Sequence, residues 1–281
     1  MDAEDYAEQA GEIFVLSDSF IRIKELIDDE SSTIDDIADV IILDPALSST
    51  ILKLANSSFF NYSGRIDTIS KAVLVLGITE VYNLVIAYFT TETFKASKLD
   101  ATYLEDFWER SVDTALLIKY IGCQLHMPNA ERLFILGLLH NVGELAVMQL
   151  APEKLNQAML NSKAVLPWQK QQEVFNFTYA DISAELLKKW QLPFSIVEPI
   201  RYQNEVDFQY STEETKLLFI AKRIMLLNYQ CSHLSLDELI SPEKLAETQV
   251  TQQMIKAANQ FCDMERLGIL ATLKPSAAMI Y

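Results

Sequence analysis

At 281 residues the chain is long enough for one large or two moderate domains, since domains run to ~100–150 residues each. Half of it is hydrophobic, yet its longest uninterrupted apolar runs, such as Leu133 to Leu139, fall far short of the ~18 residues of a membrane span, and its acidic N-terminus has the opposite sign to a signal peptide. A net charge of −16 repels nucleic-acid phosphates, so the expectation is a cytoplasmic chain with no membrane segment and no nucleic-acid partner.

The charge is unevenly placed. Residues 1 to 44 hold 14 Asp and Glu against Arg22 and Lys24, which is twelve of the sixteen net negative charges. Solvated helix faces are the first explanation, and a docking surface for a basic partner is the second. In the same stretch Phe14, Phe20, Ile23 and Ile27 recur at spacings that fit one helical face. Thr33 followed by Asp36 predicts a capping box for a helix through Leu43. Asp44-Pro45 predicts a restart, with Asp as cap and Pro in the first turn, of a helix carrying Leu47, Ile51, Leu52 and Leu54.

Asn61 to Gly64 is a turn cluster. Thr68 opens the next helix, and Gly77 is expected to close it as a left-handed cap. Thr79 to about Phe94 is apolar almost all round and therefore predicted buried. Leu99-Asp100-Ala101 is the expected hinge, dividing residues 1–98 from 99–281. Phe107 to Leu125 reads as a long helix ending near Met127-Pro128, and Asn129 as the cap of a helix carrying His140. Pro167, Pro193, Pro199 and Pro242 punctuate later helices. No alternating strand pattern appears, so the fold class is all-α: a helical N-terminal subdomain followed by a helical bundle. Cys123, Cys231 and Cys262 lie far apart and read as buried apolar residues. Trp108, Trp168 and Trp190 read as core anchors.

Several ordered segments resemble the HDOD family, the HD-related output domain of bacterial signalling proteins. Asp44-Pro45-Ala46-Leu47 is similar to its Asp-Pro-x-Leu motif. The segment from Leu54 to Phe60, with Asn56-Ser57 at its centre, is similar to its Leu-Ala-Asn-Ser element. Ala72, Leu76 and Gly77 fit the next pattern. Gly137 to Gly143 fits the helix that carries a His-Asp pair in HD phosphohydrolases, here His140-Asn141. Leu186-Leu187 with Trp190 and Pro193 fits the last, so the matches run from about residue 15 to 205. The resemblance implies a helical subdomain followed by an HD-like bundle, and a role in bacterial signal transduction.

The resemblance also locates where an HD hydrolase would hold metal. Such a site acidifies a water and clamps a phosphoryl group. Arg110 stands where the first His is expected, Asn141 replaces the Asp of the pair, Glu144 replaces a Lys, Tyr179 replaces a later His, and Tyr202-Gln203 aligns with the final His-His pair. Three histidines, His126, His140 and His233, are too scattered to share an ion. The leading expectation is thus a non-catalytic signalling module, with no cofactor, acting through a protein partner or an unknown small ligand. A remnant network of Arg110, His140, Asn141 and Tyr202 would replace the metal. The alternative is a divergent metal-dependent phosphohydrolase using His140, Asp113 and Asp181. A third possibility is a metal-free receptor in which Arg110 faces an anionic small ligand. Against that, Arg110 is expected first to pair with Glu109 or Asp113 on its own helix, and His140 to be a core residue bonded to a backbone carbonyl.

Overall fold

In the computed structural model every regular element among the described residues is an α-helix. The structure describes residues 1–273 apart from 30, 58–59, 61, 63, 98, 129, 131, 160–164 and 230–233. Asn129, Cys231, His233 and, from the Asn61–Gly64 turn, Asn61 and Ser63 therefore lie outside the described residues. Two compact units interleave along the chain, one built from residues 1–14 and 97–262, the other from 15–96 and the chain from 263 onward. This differs from a division into 1–98 and 99–281. The expected hinge at Leu99-Asp100-Ala101 falls just after the boundary, and Asp100 instead N-caps a helix by accepting from the Tyr103 N–H.

The first helix explains the difference. α1 (Ala3–Ile13) opens on a capping box in which Asp2 and Asp5 satisfy each other's N–H groups. Its buried face, Tyr6, Ala7 and Ala10, packs on helices of the later unit. Phe14 follows as its cap and is fully buried. Burying an aromatic side chain of this kind is worth about 1.5–3 kcal/mol, and it adds to the burial of Tyr6, Ala7 and Ala10 in holding the first fourteen residues against distant helices. Phe14 therefore does not share a helical face with Phe20, Ile23 and Ile27. Ser17 caps a new helix between them.

In the 15–96 unit the helices are α2 (Asp18–Asp28), α3 (Ile34–Ile42), α4 (Pro45–Ala55), α5 (Ile69–Leu76) and α6 (Ile78–Lys95). The local signals work as the sequence predicts. Thr33 and Asp36 form the box that starts α3. Asp44 accepts from the N–H groups of Ala46 and Leu47, and Pro45 takes the first turn of α4. Thr68 caps α5. Asn56 closes α4 and reaches further: its amide donates to the Leu52 and Ile66 carbonyls, and its oxygen accepts from the Ile66 N–H at 2.8 Å. Ser57 donates to the Leu54 carbonyl. Gly77 differs from a left-handed cap. Its φ of 88° is positive but its ψ of 156° is extended, a conformation open essentially to glycine alone. It ends α5 and starts α6 at once, turning the chain by 119°. α6 is buried around most of its circumference from Glu80 to Phe94.

The other unit continues with α7 (Ala101–Gln124), α8 (Arg132–Leu139), α9 (Val142–Leu150), α10 (Pro152–Met159), α11 (Pro167–Phe175), α12 (Tyr179–Lys189), α13 (Phe194–Arg201) and α14 (Glu213–Tyr229), then the short α15 (Leu236–Leu239) and α16 (Pro242–Glu247); the division falls within α17 (Gln252–Leu273). α7 ends at His126, which takes a left-handed φ of 54° while the Met127 N–H returns to the Gly122 carbonyl. α12 ends likewise, through Gln191 with φ 57° and a bond from the Leu192 N–H to the Leu187 carbonyl. The Trp190 indole donates to the Phe14 carbonyl at 3.1 Å, and Pro193 in extended backbone opens α13. Trp190 and Pro193 thus tie the end of α1 to the end of α12 and aim α13. Cys262 is buried, but Cys123 is exposed, because it faces away from the core on the last turn of α7. The stretch Arg132–Leu150, α8 and α9 together, is long and apolar enough to cross a membrane, and 78% of its apolar window is buried inside the protein. Packing of α8 on α7 and of α9 on α12 accounts for that apolarity.

Candidate functional site

Two glycines hold the His140-Asn141 pair in place. A Cβ on Gly137 would stand 2.4 Å from Ala115 Cα, so α8 can lie against the α7 backbone only without one. A Cβ on Gly143 would stand 2.3 Å from the Tyr179 carbonyl oxygen, which fixes the same requirement between α9 and α12. The Gly143 N–H donates to Ser183 Oγ, and that hydroxyl donates to the Tyr179 carbonyl, both at 2.8 Å. His140 and Asn141 occupy the break between α8 and α9.

His140 is buried, and its Nδ1 donates to the Gly137 carbonyl at 2.6 Å. This is the core-histidine arrangement expected from the sequence. Burial, reinforced by the nearby Lys222 charge, pushes the imidazole down to about 3. The ring is therefore neutral at pH 7, with its proton on Nδ1 and Nε2 left as an acceptor. The His140 backbone is held as well: Gln203, fully buried, donates from its amide to the His140 carbonyl at 2.7 Å and to the Ile200 carbonyl at 2.8 Å.

Glu144, one turn along α9, is the hub of the site. Oε1 accepts from the Tyr103 hydroxyl at 2.6 Å and from Arg110 at 3.0 Å, and Oε2 accepts from the Asn141 amide. Burial and then the Glu144 charge push the Tyr103 phenol upward, so it remains a donor. Arg110 thus pairs across helices with Glu144 rather than with Glu109 or Asp113 on α7. Asn141 takes part as expected, because a carboxamide can donate where Asp could only accept.

Other expected members of the site are elsewhere. Tyr202 is 48% exposed at the end of α13 and lines a separate surface pocket with Glu198 and Tyr210. It is the next residue, Gln203, that turns inward. Tyr179 is buried in the α9–α12 contact, beside Phe175, and its hydroxyl finds no partner among the described residues. Asp113 is buried and accepts from the Tyr229 hydroxyl. Asp181 completes a capping box with Thr178. Neither aspartate lines the cavity beside His140, so the set His140, Asp113 and Asp181 is not assembled.

That cavity, of about 100 Å³, has His140, Arg110, Glu144, Trp168, Gln171 and Lys222 among its wall residues. Lys222 and Trp168 carried no functional expectation. Lys222 comes from α14, where no motif marks it. Its Nζ donates to Asn204 Oδ1 at 2.9 Å and lies 5.1 Å from the centre of the Trp168 ring. Burial, then the adjacent Arg223, pushes it down to about 7. Trp168 is a core anchor as expected, and is also a wall of the cavity. A divalent ion does not fit these residues. The only carboxylate of the set has both oxygens engaged by three donors, a single imidazole nitrogen remains, and two cations face the same space. Among the described residues no three His, Cys, Asp or Glu side chains gather in a metal-binding group.

Comparison with known proteins agrees with the architecture. The HDOD domain matches residues 13–206, more than half of the sequence, and the chain belongs to the HDOD domain family. It is similar in structure to a "Putative phosphohydrolase" from Shewanella amazonensis SB2B, with 23% identity, a TM-score of 0.70, and coverage of 95% of this chain and 96% of that one. It is also similar to an HDOD domain protein with unknown function from Geobacter sulfurreducens, at 18% identity, TM-score 0.68, and 96% coverage of both chains. A "Putative signal transduction protein" from Marinobacter aquaeolei VT8 matches at 21% identity and TM-score 0.69, over 95% of this chain and 60% of that one. At these identities the likeness is one of fold. An "Uncharacterized protein" of Treponema pallidum (strain Nichols) is 26% identical over 222 residues, 77% of this chain, and the chain spans 42% of that protein's length.

Proposed function

We propose that the chain is a non-catalytic HDOD regulatory module, in which the ancestral metal centre has become a salt-bridged scaffold and signalling proceeds through a protein partner or a small ligand. The observation that carries this reading is the occupancy of Glu144 by Tyr103, Arg110 and Asn141. Two charge changes that look separately disabling, Arg at 110 and Glu at 144, satisfy each other, and the pair fills the place where a cation would need carboxylates. Among the described residues none beside His140 is arranged to acidify a water, which metal-assisted phosphoester hydrolysis requires. No cofactor is needed to hold the break between α8 and α9, since backbone and side-chain bonds already do so.

Metal analysis of untreated protein, combined with hydrolysis assays on p-nitrophenyl phosphate and its bis-ester, tests the proposal. The expected result is under about a tenth of an equivalent of Fe, Mn, Zn or Mg, because a single imidazole beside two cations gives no tight site, and no turnover on adding these metals. Stoichiometric metal with phosphoester hydrolysis that His140→Ala abolishes would overturn it in favour of a divergent metal-dependent phosphohydrolase.

A further inference from the structure

The two cations at the cavity differ in a way the scaffold role does not explain. Arg110 is neutralised by Glu144 at 3.0 Å. Lys222 has no carboxylate within ion-pair distance among the described residues, and its one hydrogen-bond partner is a neutral amide oxygen, Asn204 Oδ1. It sits against the Trp168 ring, partly removed from water. Burial pushes this amine down to about 7, and an anion in the cavity would hold it in its charged form.

The remaining wall groups are complementary to an oxyanion that also carries a proton. His140 spends its only N–H on the Gly137 carbonyl, so Nε2 offers a lone pair and no donor. Gln171, which is buried, spends its oxygen on the Tyr179 N–H at 3.0 Å, which leaves its amide N–H groups as donors on the wall. The buried Ser111 hydroxyl stands on the same wall. The Lys222 amine, neutral donors and the His140 acceptor converge on about 100 Å³, and the Glu144 carboxylate on the same wall is already taken up by Tyr103, Arg110 and Asn141. That is a few waters' worth of space at ~30 Å³ each, enough for an oxyanion.

We propose that this cavity is a metal-free receptor for an oxyanion bearing an O–H, free hydrogen phosphate or the protonated head of a phosphomonoester, with Lys222 as its counter-ion and His140 Nε2 as the acceptor of its proton. The proposal rests on the non-catalytic reading of the site and gives it a ligand. Phosphate is preferred to sulfate because sulfate has no proton to offer Nε2 at neutral pH. Free phosphate is preferred to an alkyl phosphate because the second proton of a monoester is mostly gone at pH 7, its pKa being ~6.

Isothermal titration of the whole, metal-free chain at pH 7 with inorganic phosphate, methyl phosphate and sulfate tests this. Phosphate is expected to bind at least about fivefold more tightly than sulfate, since an unpaired acceptor costs about 1–3 kcal/mol. Methyl phosphate binding as tightly as phosphate would assign the ligand to the esters, and weaker binding to the free ion. Lys222→Met is expected to weaken phosphate by roughly 10–100-fold, the worth of one charge-assisted bond. Without ligand the same variant is expected to raise Tm by roughly 2–4 °C, because it removes an unpaired charge. If Lys222 serves only to hold Asn204, Tm falls instead and the inference fails. His140→Asn keeps a donor for the Gly137 carbonyl and deletes Nε2, and is expected to bring phosphate and sulfate affinities within about twofold of each other, since the unpaired-acceptor cost is then gone. Sulfate binding as well as phosphate in the unsubstituted chain, or no binding of either, overturns the inference while leaving the non-catalytic reading intact. Binding that appears only after a divalent metal is added overturns both.

Discussion

The Asn56 turn and the Glu144 hub each satisfy a cluster of polar groups, but they do so at different ranges. Asn56 serves the main chain, closing α4 and clasping Ile66, ten residues away, through three hydrogen bonds. Glu144 serves side chains, drawing Tyr103 from 41 residues away and Arg110 from 34. The first arrangement folds a loop wherever it occurs. The second exists only after α7, α8 and α9 have packed, and it consumes the groups that chemistry would use. A motif of the first kind therefore reports fold, and one of the second reports what has become of a site.

Several substitutions would break or sharpen that contrast. Glu144→Ala should have the largest effect. It strands Arg110 and Tyr103 in a mostly buried place, and loss of one partner of such a pair costs about 3–5 kcal/mol, to be read from the midpoint of urea unfolding. Asn56→Ala should cost less, about 2–3 kcal/mol, for three bonds of about 1 kcal/mol each. Its signature is local, with faster amide exchange at Ile66 and no change at the Arg110–Glu144 pair. Gly77→Ala should cost about 1–2 kcal/mol, purely from forcing a side chain into that backbone conformation, since a Cβ there meets nothing within 4 Å. Tyr202→Ala should be smallest, within about 0.5 kcal/mol, and should leave phosphate binding unchanged. A larger loss would mean that Tyr202 does join the site.

The same contrast decides what the sequence discloses. Caps are legible because donor and acceptor are three residues apart, as in Thr33 with Asp36 and Asp44 with Leu47. The helical class and the place of His140-Asn141 between Gly137 and Gly143 are legible for the same reason. Arg110 is recognisable as a cation out of place, but its partner is not, because Glu144 is brought to it by packing. The signal was present in part: a cation where a ligand belongs and an anion where a lysine belongs form a reversed pair. Lys222 gave no signal. It lies beyond the family match at residue 206, and its importance comes from what is missing around it, which only the packed structure reveals. Tyr202 and Gln203 show the limit of a two-residue alignment. At the end of a helix, neighbouring side chains differ by about 100° in direction, so one faces solvent and the other the core.

The attachment of α1 to the later unit also sets a schedule. Its buried face packs on α12, which begins 166 residues after α1 ends. At the ~5–20 residues per second of protein synthesis, α1 waits roughly 10–30 s with Tyr6 and Phe14 uncovered, while residues 15–96 can already condense. A nascent chain of this protein therefore passes through a stage in which residues 15–96 have begun to pack and the first helix is still a loose, acidic, partly greasy arm. That arm is where a chaperone or an early partner would find its hold.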